Sequence, residues 1–236
     1  MAKFIDELSV FFPAYNEEKN IKNTVLNAKK ILEEIAEKWE ILIINDGSTD
    51  KTGEISNELS LQDRRIRLIT HVPNKGYGAS LKSGFYNSKY NWIAFTDADG
   101  QFDFSEIVNF VQKQHETDAD LVVGYYLDRK VAFYRKFNTF VWELIIFSLF
   151  GLKVKDIDCG FKLISKKVID SIPKLESERG AFISSEFLIK ANKKNFRIVQ
   201  LSVHHYPRIK GKGTGANLDV IIKSFIDLLR LWKKLR

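Results

Sequence analysis

The residues best suited to chemistry in this sequence come in five short runs. In Thr96-Asp97-Ala98-Asp99-Gly100-Gln101, two carboxylates stand at i and i+2 directly after the apolar run 92–95. Where a chain leaves the pleat of a strand, such a pair converges. Two carboxylates suit a hard divalent cation, Mg2+ or Mn2+, which keeps positions open for phosphate oxygens. Taken alone, the run reads equally well as a solvated turn rich in aspartate. It has company, however. Asn45-Asp46-Gly47-Ser48-Thr49-Asp50 ends an earlier apolar run in the same way and offers Asp46 to a ribose or base. The same residues also suit a turn and a helix N-cap. Pro13-Ala14-Tyr15-Asn16-Glu17 sets a flat aromatic ring and a carboxylate after the first apolar run. Asn74-Lys75-Gly76-Tyr77-Gly78 brings Lys75 and Gly78 to a helix start, a setting for phosphate, but without Walker A or G-x-G-x-x-G spacing. The fifth run, Asp156-Ile157-Asp158-Cys159-Gly160-Phe161-Lys162, lies far along the chain.

These runs need a scaffold, and the hydrophobic pattern supplies one. Residues 8–12 form an apolar strand, and Ile21, Val25, Ala28, Leu32 and Ile35 then recur at helical spacing. Strands at 40–44, 66–72, 92–96 and 121–124 alternate with helices near 52–61, after 78 and near 106–116. Such alternation predicts βαβ units and a mainly parallel α/β sheet, whose ligands sit beyond the carboxyl ends of the strands. Behind it, 131–150 predicts one long helix, 161–164 and 197–204 strands, and 185–194 a helix. Residues 211–215, rich in Gly and Lys, read as a mobile loop, and 218–235 as an amphipathic helix. The long helix suits either the core or a membrane interface, with a basic entry at Arg135 and Lys136 and an aromatic load of Phe133, Phe137, Phe140, Trp142, Phe147 and Phe150.

The chain has 236 residues and a net charge of +7, which suffices for one large domain with a sizeable core. That charge is unevenly spread. Residues 1–127 carry 14 basic and 20 acidic side chains, a net −6, whereas 128–236 carry 23 and 10, a net +13. The rear part therefore expects an anion. Cys159 is the one cysteine, which excludes an internal disulfide framework and a Cys-rich zinc site. It reads as a small buried residue rather than a nucleophile. His204 and His205 lack the spacing of a metal pair. No signal-like or membrane-spanning segment is evident, so a soluble intracellular chain is the default expectation.

In chain order, the runs at 13–17, 45–50, 74–78 and 97–101 resemble the inverting family 2 glycosyltransferases with a GT-A fold. The resemblance implies a nucleotide-sugar donor, with Pro13, Tyr15, Glu17 and Asp46 lining the nucleoside and Lys75 and Gly78 near the phosphates. It assigns Asp97, Asp99 and Gln101 to Mg2+ or Mn2+ on the diphosphate. The fifth run is similar to the D-x-x-[CS]-G-F-[KR] element of polyprenyl-phosphate glycosyltransferases, the dolichyl-phosphate mannose and glucose synthase group. In that pattern Asp156 is the matching aspartate, and Asp158 falls on a variable position. Arg129 and Arg135 match basic residues that this group places near the lipid phosphate, and Lys162 is a third candidate. His205-Tyr206-Pro207-Arg208, with the Gly-rich loop, resembles its basic segment over the donor diphosphate. Many members carry transmembrane helices after the catalytic domain, a feature without a counterpart in these 236 residues.

Taken together, the resemblance implies one GT-A domain over residues 1–215, with a nucleotide-sugar part up to 127 and an acceptor part from 128. A basic amphipathic helix follows at 216–236. The expected reaction is hexose transfer from a UDP- or GDP-sugar to dolichyl or undecaprenyl phosphate, on the inner face of the cytoplasmic membrane, with a separate membrane protein as a further candidate partner. Asp99, Asp156, Arg135 and Arg208 would act at the reacting groups, with Arg208 and Lys212 clamping the diphosphate. Glu186 is a further carboxylate candidate at a helix start. A family 2 enzyme acting on a sugar hydroxyl is the alternative reading. A nucleotide- or nucleic-acid-binding module is the remotest, because carboxylate-lined strand ends repel phosphate without metal.

Overall fold

The computed structural model describes residues 4–127, 133–177, 180, 182–207 and 218–235. Side chains are described from 138 onward in the helix that begins at 133, and from 224 onward in the last helix. The alternating pattern becomes β1 (Ile5–Ala14), α1 (Ile21–Ile35), β2 (Ala36–Asn45), α2 (Thr52–Gln62), β3 (Ile66–Thr70), α3 (Tyr77–Asn87) and β4 (Trp92–Phe95). A 3-10 turn (Phe104–Glu106) then leads into α4 (Ile107–Thr117) and β5 (Leu121–Tyr126). The rear part contributes α5 (Phe133–Phe150), β6 (Lys162–Ser165), α6 (Lys166–Ser171), α7 (Phe182–Lys193), β7 (Ile198–Val203) and α8 (Leu218–Leu235). Only α6, which is too short for a periodicity to show, has no sequence signal.

The seven strands form one sheet in the order β3-β2-β1-β4-β6-β5-β7. β3, β2, β1 and β4 run parallel, as do β5 and β7. The winding reverses between β1 and β4, the switch point where open α/β sheets bind ligands. β6 departs from the parallel expectation, running antiparallel to both β4 and β5. Its register pairs Lys162 with Phe95 and with Val123. The residues before β6 therefore reach the same edge as the residues after β4 and β5. A motif that precedes its strand thus joins motifs that follow theirs.

Both faces of the sheet are buried, which is why β1 and β2 read as continuous apolar runs. Val10 and Phe12 of β1, with Ile41 and Ile43 of β2, pack against Val25 and Leu32 of α1 and Phe110 of α4. Phe11, Leu42 and Phe95 face the other way, onto Phe85 of α3 and Phe187 of α7. α5 is partly core and partly exposed. Ile146 and Phe150 are buried, while Phe140, Leu144 and Phe147, at spacings that share one helix face, are 61%, 51% and 45% exposed. α8 packs through Leu228 and Leu231, and Phe225 meets the Trp142 ring edge-on at 5.1 Å.

Glu186 is a structural anchor rather than a helix-start carboxylate. Buried within α7, it accepts the N–H groups of Glu176 and Ser177, each at 2.9 Å, and pairs with buried Lys190 at 2.5 Å. Lys190 Nζ also donates to the Lys174 carbonyl at 2.6 Å. Burial opposes the charge on Glu186, but the bonds from Lys190, Ser177 and Glu176 outweigh it and hold the carboxyl below its ordinary 4.5. This contribution is therefore complete above about pH 4.5 and is lost as pH falls through the lower folded value. Glu186→Gln is expected to cost about 3–5 kcal/mol at neutral pH. It is also expected to flatten the acid limb of stability in denaturant titrations across pH. An unchanged acid limb would contradict this assignment.

Candidate active site at the strand ends

The loops after β1 and β2 lock together. Asn16 Oδ1 accepts the Thr49 N–H at 2.8 Å, and the Asn16 N–H reaches Ser48 Oγ at 3.0 Å. The Glu17 N–H reaches Thr52 Oγ1 at 2.8 Å, and the Glu18 N–H reaches Asp50 at 3.1 Å. Asp50 also accepts the Thr52 N–H and hydroxyl at the start of α2. Partial burial opposes its charge, but these bonds prevail and keep its carboxyl below the ordinary value. Buried Glu17 accepts from Asn20 Nδ2 at 2.7 Å, while its carbonyl starts α1 by accepting the Asn20 and Ile21 N–H groups. Pro13 is buried in β1, and Tyr15, just past the strand, is exposed.

Asp46, expected to line the nucleoside, has its carboxylate committed to the next loop. Oδ1 meets His71 Nδ1 at 2.6 Å and the Lys75 N–H at 3.0 Å, and Oδ2 accepts the Gly76 N–H at 2.8 Å. His71 Nε2 lies 2.8 Å from Ser83 Oγ on α3. Gly47 completes the closure: its φ is +68°, and a Cβ there would lie 2.7 Å from the Asn74 nitrogen. Lys75 contributes its N–H here and leaves its side chain exposed, and Gly78 is buried in the first turn of α3.

The acid pair lies past β4, beside the switch point. Asp97 Oδ1 accepts the Tyr77 hydroxyl at 3.0 Å, and Asp99 Oδ1 accepts the Gln101 N–H at 3.0 Å. Burial raises the Tyr77 phenol well above its usual pKa, and the neighbouring Asp97 charge adds to this, so Tyr77 stays a donor. The fifth run closes on the pair from the other side. A Cβ on Gly160 would stand 2.6 Å from Asp97 Oδ2, so any side chain there would push the carboxylate aside. Lys162, a candidate for the acceptor phosphate, is fully buried instead. Its Nζ donates to the carbonyls of Ile157 and Cys159, and burial lowers its pKa. It ties the turn together and is not presented to an acceptor. Burial pushes the Cys159 thiol up to about 12, in keeping with a packing residue.

A divalent cation fits this donor set as a two-carboxylate site. Among the described residues no group of three or more His, Cys, Asp and Glu is gathered to hold a metal. A cation at Asp97 and Asp99 would therefore take its remaining ligands from phosphate, water or a neutral oxygen. The buried Thr96 hydroxyl beside Asp97 has no hydrogen-bond partner among the described residues, an arrangement that costs about 1–3 kcal/mol. Gln101, expected on the metal, gives its side-chain amide to the Tyr206 carbonyl at 3.0 Å, and its own carbonyl accepts the Tyr206 N–H at 2.9 Å. It thus anchors the start of the basic segment.

Asp156 stands at the same edge, with a left-handed backbone (φ +46°) and Oδ2 accepting the Tyr126 N–H at 3.2 Å. Arg129, Arg208 and Lys212 lie outside the described residues, and Arg135 is described only in its helical backbone. Sequence reasoning missed His71 and the tie between Tyr77 and Asp97. His71 directly follows β3, but the expected strand 66–72 enclosed it, so the rule that polar residues after strands face the site passed over it.

The sequence model of the family described as Glycosyl transferase family 2 matches residues 9–172. The chain belongs to this family. Over 251 aligned residues it is 31% identical to the dolichyl-phosphate beta-glucosyltransferase of Dictyostelium discoideum, covering 96% of this chain and 76% of that protein. It is 30% identical to the undecaprenyl-phosphate 4-deoxy-4-formamido-L-arabinose transferase of Salmonella choleraesuis (strain SC-B67), covering 86% of this chain and 61% of that one. A solved structure of glucosyl-3-phosphoglycerate synthase from Mycobacterium tuberculosis, with Mn2+, UDP and glucosyl-3-phosphoglycerate, matches with a TM-score of 0.70 at 17% identity. That match covers 98% of this chain and 80% of the other. The expected GT-A fold is present, and this family 2 member is a glycosyltransferase. Gly160→Ala should spare the fold, since Asp97 can swing aside, but moving that carboxylate should cut turnover at least about tenfold, as misplaced catalytic groups do. Near-normal turnover with an unchanged melting temperature would mean that the close approach does not matter.

Proposed function

We propose that this glycosyltransferase moves a hexose from a nucleoside-diphosphate sugar to a polyprenyl phosphate, inverting the anomeric centre. The observation that carries the reading is the contact of Gly160 with Asp97. It sets the element similar to the polyprenyl-phosphate group directly against the carboxylate expected at the donor diphosphate. The relatives named for dolichyl and undecaprenyl phosphate, aligned over most of this chain, support the same acceptor class.

In this reading an acceptor phosphate oxygen attacks the anomeric carbon, and the bond from that carbon to the donor diphosphate breaks. The electron pair leaves with the nucleoside diphosphate. A phosphate monoester is already ionised near neutral pH, so it needs positioning more than deprotonation. Asp97 and Asp99, with Gln101 nearby, would hold Mg2+ or Mn2+, which supplies Lewis-acid neutralisation of the leaving diphosphate. Tyr77 fixes Asp97, and Asp46 with His71 shapes the loop beside the nucleoside. Arg208 and Lys212 add positive charge to the diphosphate, and Arg129 and Arg135 to the acceptor. Asp156 orients one of these cations or contacts the sugar. Residues 1–215 act as the GT-A domain, and the helix beyond them as a basic attachment.

The acceptor is a membrane lipid, and we place the protein peripherally on the inner face of the cytoplasmic membrane. Among the described residues no helix is long and apolar enough to cross a membrane. The exposed Phe140, Leu144 and Phe147 stripe, with Ile226 and Leu229 on α8, supplies apolar contact. Lys153, whose ammonium lies 5.9 Å from the Phe147 ring, and exposed Arg230 and Lys233 supply charge for anionic headgroups.

Incubation with Mg2+ or Mn2+, UDP- and GDP-sugars and short polyprenyl phosphates should yield glycolipid only from the phosphorylated lipid. Transfer to free sugar hydroxyls alone would overturn the acceptor. Asp99→Asn is expected to abolish turnover and metal-dependent donor binding while the fold persists; unchanged turnover would refute the metal assignment. Vesicles containing anionic lipid should sediment the protein, and Phe140→Ser with Leu144→Ser should weaken that binding by at least about tenfold, given roughly 1.5–3 kcal/mol per buried side chain. Equal sedimentation of the double variant would exclude this face.

A further inference from the structure

Glu143 is the one acidic residue of α5 and stands among apolar neighbours. On the helix it falls between two faces, one turn from the exposed Phe140 and Phe147 and one turn from the buried Ile146. Its Oε1 accepts the Asp156 N–H at 2.6 Å. Asp156 is also held by the Tyr126 N–H at the end of β5, and its carbonyl accepts the Cys159 N–H at 2.7 Å. The chain just before it is fixed by Gln200 of β7, which accepts the Lys155 N–H at 2.7 Å. After Cys159 comes Gly160, in contact with Asp97. A short series of direct contacts therefore runs from the helix with the exposed apolar stripe to the carboxylate at the strand ends, and Glu143 is its first member.

We propose that Glu143 is a positioning residue: by holding the Asp156 N–H it sets the turn 156–160 for the acceptor half of the reaction, so that the seating of α5 is felt at the transfer site. This rests on the polyprenyl-phosphate reading above. What this role requires is the reach of the side chain to one N–H, which an amide oxygen of equal length also supplies.

Two variants separate these features. Glu143→Asp keeps the charge and shortens the side chain, whereas Glu143→Gln keeps the length and removes the charge. Glu143→Asp is expected to lower kcat/KM for the polyprenyl phosphate about tenfold to a hundredfold, the scale of an N–H left without its acceptor, with the donor KM within about twofold. Glu143→Gln is expected to stay within about threefold of the wild type. Full activity in Glu143→Asp, an equal loss in Glu143→Gln, or a matching rise in the donor KM would overturn the proposal. Amide hydrogen exchange at Asp156 and Cys159 needs no turnover. It should quicken in Glu143→Asp and not in Glu143→Gln, and unchanged exchange in Glu143→Asp overturns the proposal. If the wild type transfers nothing to a polyprenyl phosphate, the acceptor reading falls, and the exchange result alone decides the role of Glu143.

Discussion

The close approach of the Gly160 backbone to the Asp97 carboxylate is the constraint around which the rest of this site is arranged. A side chain of any size at position 160 would occupy the space of that carboxylate. The approach is possible because β6 runs against its neighbours, with Lys162 opposite Phe95, so the turn before β6 meets the loop after β4. Lys162 then stabilises the turn from beneath by giving its buried ammonium to two of its carbonyls. Tyr77 holds the same carboxylate from α3. Asp97 is thus held between two parts of the chain that are remote in sequence, α3 and the turn before β6.

The front half of this arrangement was legible from the sequence because each motif there follows its own strand. Apolar runs set the strands, helical spacing set the helices, and the polar residues after each run fell at one sheet edge by topology alone. The rear half was less so. No local pattern marks a strand as antiparallel, so the position of the 156–162 run at the same edge had no basis in periodicity, only in the family resemblance. Individual roles shifted for a similar reason. Asp46 and Lys162 are polar residues of suitable type, yet loop closure and carbonyl capping claim their side chains. Those partners come from elements 25 or more residues away in one case and from a turn geometry in the other. Glu143 carries no local signal of a role, because its partner exists only once β5, α5 and the turn are assembled.

The charge asymmetry acquires a physical meaning on this framework. The sheet is continuous across the boundary between the acidic and basic parts, since β6 sits between β4 and β5. The two kinds of charge therefore lie along one sheet rather than on two, and in the proposed reading they serve one site. Carboxylates gathered at a strand end bind a diphosphate well only through a cation, while basic residues meet an anionic acceptor directly. A lipid phosphate presented at a membrane surface would approach from the basic part, where α5 and α8 expose apolar side chains beside lysine and arginine.

The most direct test of this account is a crystal structure of the chain with Mn2+ and UDP or GDP. The account predicts the metal between the diphosphate and the carboxylates of Asp97 and Asp99, with Gly160 still against Asp97. A diphosphate bound away from that edge, for example in the cleft lined by Glu7, Asn91, Trp92 and His115 at the opposite ends of the strands, would contradict it.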